Sequence, residues 1–432
     1  MISNPPIFAL ASGAGRSAVA VMRLSGVGTG EVLRQLASGL PPPRRASLRL
    51  LRHAGQDLDR ALVLWFPGSA NYTGEESAEL HLHGGPAVIA VVADALVAVG
   101  ARPAEPGEFT RRAFLNGRLD LTAAEGIADL IAAETEAQRR QALRQADGAL
   151  ARRHAEWAAR LTRLLARQEA FIEFEEEDLP PDLDAQVAAD AATLRAEMAG
   201  LLADGIRGEK LREGLSVAIL GAPNAGKSAL LNALVGREAA IVSARAGTTR
   251  DVVEIRLILA GVPVTLADTA GLRDAVDDIE AEGVRRALAR AEVADLRLLV
   301  FAADLEPDAA TLALGGPDAL VVLSKADLGG ALAGALEVSA RSGAGMDRLR
   351  SRLESEAVAR AGLSDAAGLT RPRHRAALGE AVEWLDRLPE VTMPELRAEA
   401  LRGALRALSR LTGRVDVEQV LDLVFGEFCI GK

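Results

Sequence analysis

The sequence predicts a multidomain α/β protein: an α+β N-terminal domain, a helical bundle domain, and a P-loop domain with a mostly parallel sheet inserted into that bundle. Three observations carry this prediction. Residues 214 to about 364 alternate strand and helix, the pattern of a sheet wrapped by helices with its site at the strand C-termini. Leu215 to Ser228, LSVAILGAPNAGKS, passes from an apolar strand through a glycine-rich turn into a helix. Amphipathic helices fill 121–213 and resume after Leu363. The expected domains are therefore 1–117, 118–213, 214–364 and 365–432, with the second and fourth forming one helical domain around the third.

In chain order, Ser17 to Leu24 and Ala61 to Phe66 read as strands by β-rich alternation, and Ala87 to Val99 as a helix. Glu79-Leu80-His81-Leu82-His83 puts two histidines on one side of a strand. With no third ligand at useful spacing, packing or hydrogen bonding is expected of them rather than metal binding. Leu143, Leu150, Trp157, Leu161 and Leu164 recur at 7, 7, 4 and 3, one apolar stripe of a bundle helix. The acidic run from Glu173 to Asp178 reads as a solvated helix end before Pro180-Pro181. In the inserted domain, strands are expected at 216–220, 252–259, 262–267, 296–303, 319–324 and 335–339, and helices near 228–236, 278–292 and 346–360. Arg371-Pro372-Arg373-His374-Arg375 is a candidate local basic patch, read as a solvated helix start before a binding surface. Pro394 to Leu411 is a helix with Leu401, Leu405 and Leu408 on one face, stopped by Gly413. Beyond it Asp416 and Gln419 suit the cap of a last helix.

Composition narrows the function classes. A chain of 432 residues is too long for one core, and a net charge of −10 argues against a surface built for sequence-independent nucleic-acid binding. Aromatics are only 3%, so alanine and leucine must fill the cores. The single cysteine, Cys429, excludes an intrachain disulfide and fits a reducing compartment. No uncharged apolar run reaches the roughly 18 residues of a membrane span. The N-terminal MISNPPIFALASGAGRS lacks the basic-then-apolar pattern of a secretory signal, so a cytoplasmic protein with no membrane segment is expected. Only four of the 50 basic side chains are lysines, at 210, 227, 325 and 432. A lysine kept in so arginine-rich a chain points to a need for a compact charge. Two of the four fall in nucleotide motifs.

Gly221 to Ser228, GAPNAGKS, is the G-x-x-x-x-G-K-S loop. Its glycines let backbone N–H groups converge on phosphate oxygens, with Asn224, Ala225, Gly226 and Ala229 completing the cradle. Lys227 is placed to reach the β/γ-phosphates and Ser228 to ligate Mg²⁺. Asp268-Thr269-Ala270-Gly271 ends an apolar strand, where the carboxylate can hold Mg²⁺ through water and the Gly271 N–H can meet the γ-phosphate. Thr248-Thr249 can bring a hydroxyl, assigned to Thr249, to the same ion. Ser324-Lys325-Ala326-Asp327 resembles the guanine-reading N-K-x-D element: Asp327 accepts from the guanine N–H donors and Lys325 covers the ring. Ser339-Ala340-Arg341 matches the loop behind the base. Each short motif alone is weak, but four in order behind a P-loop favour GTP over ATP. Ser324 stands where Asn is usual, and its shorter side chain without an amide leads to an expectation of a looser tether and weaker nucleotide binding. Leu272 occupies the place of the water-orienting glutamine of Ras-like switches, which leaves Glu280, with Glu282 as competitor, as the candidate catalytic carboxylate beside Lys227.

Together with AGTTRD at 246–251, DTAGLR at 268–273, ELHLHGGP, FLNGRLDLTAAEGIADLI and the terminal FCIGK at 428–432, these motifs give the chain a resemblance to the tRNA-modification GTPases of the MnmE/TrmE family over essentially its whole length. The last three are particular to that family. The resemblance implies a Ras-like GTPase domain that hydrolyses GTP with Mg²⁺ and K⁺. Two such domains of a homodimer meet face to face across their nucleotides, and K⁺ replaces an arginine finger. On that basis Asn224, Ser243, Arg245 and Thr248 form the K⁺ shell, and Ser243 and Thr248 also join the GTP contacts. Glu280 orients the attacking water through a second water, with Arg250 and Arg273 in support.

The resemblance also implies a folate-binding-like N-terminal domain that dimerises and takes 5-formyltetrahydrofolate or a related folate, with Arg23, Glu79, Arg118 and Lys432 as contacts. Arg118 stands where Lys is frequent. Cys429 is read as a core residue before a nucleophile. A flavin-dependent partner, MnmG, joins the chain in a hetero-oligomer. That complex places an aminomethyl or carboxymethylaminomethyl group on C5 of the tRNA wobble uridine, while GTP hydrolysis drives opening and closing of the G domains. The acidic balance assigns most of the tRNA-binding surface to the partner. The nucleotide motifs alone leave open a regulatory or ribosome-assembly GTPase without a modification role, and a folate-dependent methyltransferase with a vestigial nucleotide domain.

Overall fold

A computed structural model describes residues 5–173, 183–236, 254–268, 289, 291–362, 368–413, 424–426, 428 and 431. The chain divides into two compact units, Met1–Ile131 with Arg144–Ala191 and Glu383–Lys432, and Ala132–Leu143 with Ala192–Val382.

The first unit opens with β1 (Ile7–Leu10), β2 (Ser17–Ser25), α1 (Thr29–Leu36), β3 (Ser47–His53), β4 (Gln56–Phe66), β5 (Ser77–Gly84), α2 (Pro86–Ala98) and β6 (Arg102–Pro103). The strands form one sheet in the order β3-β4-β5-β2-β1-β6, antiparallel except where β1 meets β6. Strand β5 shows the period of two clearly. Ala78, Leu80 and Leu82 are buried among Met22, Leu24, Val63 and Leu96, while Glu79, His81 and His83 occupy the opposite face. The sequence pattern found β2, the second half of β4 and α2 within a residue or two. It missed β3, whose SLRLLRH buries only Leu51 and carries arginines outward, as an edge strand does.

Then come α3 (Glu108–Leu115), α4 (Leu121–Ala132), α5 (Glu136–Ala146), α6 (Ala149–Glu173) and α7 (Leu183–Glu213). The expected single stripe is split here. Leu143 lies on α5 and is exposed, because Gly148, at φ +77°, breaks the helix before α6 begins. Leu150, Trp157, Leu161 and Leu164 are buried on α6, with His154 and Gln168 on the same face.

The second unit holds β7 (Leu215–Leu220), α8 (Lys227–Val235), β8 (Glu254–Leu259), β9 (Val262–Asp268), β10 (Leu296–Ala302), α9 (Ala309–Leu312), β11 (Ala319–Ser324), β12 (Leu336–Glu337) and α10 (Met346–Ala361). The sheet order is β12-β11-β10-β7-β9-β8, parallel throughout except for antiparallel β8. Strand β7 is central and its run Val217 to Leu220 is buried, so the loop after it emerges from the middle of the sheet. That placement puts a phosphate-binding loop at a topological switch point. Gly214, alone between α7 and β7 at φ +86°, lies where a Cβ would come within 2.9 Å of the Pro263 carbonyl oxygen. Most of the expected 278–292 helix falls outside the described residues, as do most of the acidic run and the Asp416/Gln419 cap.

Helix α11 (Pro372–Asp386) is followed by α12 (Pro394–Thr412). The 371–375 cluster is not solvated as expected. Arg371 and His374 are buried, and Arg375 pairs with Glu209 at 3.4 Å. Helix α12 packs on α6 through Ala398, Leu401, Ala404, Leu408 and Leu411, and Gly413 at φ +78° ends it. Within this first unit the C-terminal tail reaches the N-terminal domain. A Cβ on Gly107 would come within 2.4 Å of the Phe425 carbonyl oxygen, and one on Gly431 within 2.3 Å of that of Leu10. Phe425 and Phe428 are buried with Leu121 and Ala124.

Candidate nucleotide site and the charged face of the N-terminal sheet

The loop after β7 owes its shape to backbone constraints. At Gly221 a Cβ would meet the Val300 carbonyl oxygen at 2.3 Å, so this position accepts no side chain. Asn224 and Gly226 both take left-handed φ values, +63° and +87°. Helix α8 starts at Lys227 with no side-chain cap on its first N–H groups, which leaves a cradle for anionic oxygens. Lys227 is buried and its Nζ donates to the carbonyls of Gly221 and Ala222 at 2.7 and 2.8 Å. A buried ammonium held by two loop carbonyls is stored inside the loop, within reach of any phosphate the loop encloses. Ser228 and Ala229 follow on the exposed side of the helix start.

The base-reading segment meets this loop directly. Ser324, buried at the end of β11, donates from Oγ to the Ala225 carbonyl at 2.5 Å. The tether to the phosphate loop is present with serine: Oγ reaches the loop carbonyl beside Gly226, whose Cβ position would lie 3.1 Å from that same Oγ. Lys325 adopts φ +54° and pairs with Asp304 at 2.9 Å. A hydrogen bond from Ser339, and then one from its own backbone N–H, holds the Asp327 carboxyl below the usual range and keeps it an ionised acceptor. Ser339 is fully buried, its Oγ also accepting from the Ser342 N–H at 3.1 Å, and Ala340 and Arg341 continue the same turn. Sequence reasoning missed Asp304. Its only signal was its place just past the C-terminal end of a parallel strand.

Asp268 closes β9, hydrogen-bonded in register beside Ile219 of β7. Ser243, Arg245, Thr248, Thr249, Arg250, Thr269, Ala270, Gly271, Arg273, Glu280 and Glu282 lie outside the described residues, as do Cys429 and Lys432. Of the assigned K⁺ ligands only Asn224 is described. For Mg²⁺, Ser228 at the helix start and Asp268 at the end of the adjacent strand are described.

The second candidate site lies on the outward face of the N-terminal sheet. Arg23 and Glu79 are register partners on β2 and β5, and the guanidinium donates to Glu79 Oε1 at 3.1 and 3.3 Å. Arg23 also stacks over the Tyr72 ring at 5.9 Å. Burial pushes the Tyr72 phenol up, against the opposing effects of its Thr110 hydrogen bond and the Arg23 charge. The histidines find carboxylates: His81 lies 3.3 Å from Glu79 and His83 2.7 Å from Asp59. Arg118 is exposed, with its stem against Gly74, two residues from Tyr72. Among the described residues no group of three or more His, Cys, Asp or Glu is disposed to hold a metal, and no helix is long and apolar enough to cross a membrane.

A glycine-shaped loop with its lysine stored on two carbonyls, tied by Ser324 to a Lys-Ala-Asp loop on a mostly parallel sheet, defines a P-loop protein of the GTPase class. The comparisons carry this further. Two family profiles match, the GTP-binding protein TrmE N-terminus over residues 6–118 and the MnmE helical domain over 121–429. The tRNA modification GTPase MnmE of Gluconacetobacter diazotrophicus is 61% identical over 436 residues, covering 99% of each chain. The protein of that name from Granulibacter bethesdensis is 55% identical over the full length of both. Among solved structures, the G domain of the T. maritima FeoB iron transporter is 23% identical, with a TM-score of 0.27, covering 33% of this chain and 98% of that one. The chain belongs to the MnmE family.

Proposed function

We propose that this chain is a GTP hydrolase acting in tRNA modification. Ser228 and Thr249, with Asp268, would hold Mg²⁺, and Asn224, Ser243, Arg245 and Thr248 would hold K⁺. The observation that carries the reading is the pinned pair of loops, Lys227 on the Gly221 and Ala222 carbonyls and Ser324 on Ala225. It joins the phosphate-holding and base-reading elements into one site. Lys227 moves from carbonyl oxygens to phosphate oxygens on nucleotide binding, exchanging neutral acceptors for charged ones. Asp327, kept ionised, accepts from the guanine N–H groups and so disfavours adenine. Glu280 orients the attacking water. K⁺ held by the Asn224 shell would supply positive charge where negative charge develops. Two G domains of a homodimer close across their nucleotides, and hydrolysis reopens them.

The N-terminal face serves a folate. Arg23 and Arg118 suit its glutamyl carboxylate and Glu79 its pterin N–H donors, with Lys432 joining from the C-terminal tail. The tail's packing on β1, through Gly431 at Leu10, supports this assignment. A flavin-dependent partner, MnmG, completes the modification of C5 of the wobble uridine, and the protein works in the cytoplasm. The test is phosphate release from GTP by the purified chain in KCl and in NaCl, with and without folate and partner. Faster hydrolysis in KCl is expected. Equal rates in the two salts refute the cation assignment, and no hydrolysis in either refutes the catalytic reading.

A further inference from the structure

Lys325 Nζ lies 2.9 and 3.0 Å from the two carboxylate oxygens of Asp304, a bidentate clasp at a partly exposed place. The turn that carries Asp304 is fastened to the base-reading loop independently. The Ala303 N–H donates to the Ser324 carbonyl at 3.0 Å. Gly330, at φ +109°, approaches so closely that a Cβ there would come within 3.0 Å of the Ala303 carbonyl oxygen. Lys325 itself holds φ +54°, a backbone state that side chains rarely adopt and that surrounding structure must enforce. On the other side, the hydroxyl of Ser324 ties this loop to the phosphate loop at the Ala225 carbonyl. A hydroxyl has one hydrogen to donate, whereas the amide usual at that position has two.

We propose that Asp304 is a positioning residue for the base-reading lysine, and that it supplies the second anchor Ser324 lacks. The clasp fixes the ammonium at the end of its stem, so the methylenes are ordered before a purine ring arrives to lie against them. A lysine left free must surrender its rotamer freedom on binding; this one has already done so in the folded protein. The ligand concerned is the base of a guanine nucleotide. The inference rests on the reading of 324–327 as a guanine-recognition loop.

The experiment is titration of the full-length protein with fluorescent GDP and fluorescent ADP, comparing wild type with Asp304→Asn and Asp304→Glu at low and high ionic strength. Asp304→Asn is expected to raise the Kd for GDP about three- to fivefold at low ionic strength, the scale of an exposed ion pair. Asp304→Glu recovers most of that loss. The gap narrows at high ionic strength, because a partly exposed pair is screened. Wild-type affinity in Asp304→Asn overturns the proposal. So does a loss that is equal at both ionic strengths and not recovered by glutamate, since that is the signature of a damaged loop. If wild type shows no preference for GDP over ADP, the guanine reading falls and takes the proposal with it. A clear preference that Asp304→Asn leaves intact in strength removes the proposal alone.

Discussion

The two candidate sites are built from opposite materials. The loop after β7 is made of backbone: Gly221 forbids a side chain, Asn224 and Gly226 take left-handed turns, and the one charge present is folded onto carbonyls. The face around Arg23 is made of side chains that meet across strands, a guanidinium on a carboxylate 56 residues away and an aromatic ring beneath it. A backbone site tolerates change in most side chains but not in its glycines or its lysine. A side-chain site depends on strand register and fails one partner at a time. The carboxylates of the two units also differ. Burial tends to raise Glu108, but hydrogen bonds from Arg102, the Glu105 N–H and Arg112 overcome it and hold the group low. Burial raises Glu209, and the Arg375 charge 3.4 Å away does not offset it.

The comparison breaks most visibly at Lys227. Lys227→Ala should reduce GTP turnover by about 100-fold or more, the scale of losing a charge contact to the transition state. Folate binding, measured by calorimetry, should not change; a parallel loss of both would mean that the two sites are not separate. Gly107→Val should destabilise the first unit by about 1–3 kcal/mol, because it forces a β-branched residue to positive φ against the Phe425 carbonyl. A thermal scan should show the N-terminal transition falling and releasing the tail to protease, and an unchanged scan would argue against the tail contact. Arg23→Ala should weaken folate binding about tenfold, the lower end of the scale for a hydrogen bond to a charged group, while GTP affinity holds.

The smallest effect sharpens the comparison by its sign. Glu108 has a folded pKa below its unfolded value, so its stabilising contribution is present above that unfolded value and lost as pH falls through the folded one. Glu209 has a folded pKa above its unfolded value, so ionisation at neutral pH costs stability that returns as pH falls through that raised pKa. Glu209→Gln should therefore stabilise the second unit slightly at neutral pH and not at all in mild acid. Glu108→Gln should destabilise the first unit at neutral pH, with the difference shrinking in acid. Denaturant titrations across the acid range read both, and matching pH trends for the two variants would refute the contrast.

How much of this was legible follows from the same difference. GAPNAGKS and SKAD are contiguous, and their chemistry comes from local backbone and spacing, so the nucleotide site could be read from the chain. The parallel sheet followed from the alternation of strand and helix over 214–364. Arg23 and Glu79 were named only as folate contacts through a family resemblance, and their pairing was not read at all, because nothing local states which residue of β5 stands opposite residue 23. The Asp304 clasp and the Tyr72–Thr110 hydrogen bond were invisible for the same reason. The expected stripe through Leu143 failed because a helical period carries on across a break that a single glycine makes.

One detail of the second unit bears on how such a chain could arise. Gly362, at the end of α10, lies where a Cβ would come within 2.7 Å of the Arg207 stem, near the end of α7. The strand-and-helix segment from 214 to 361 thus leaves the helices almost where it came in. A cassette whose two ends are neighbours can be spliced into a host gene, or cut from it, with only a short bridge needed to close the gap.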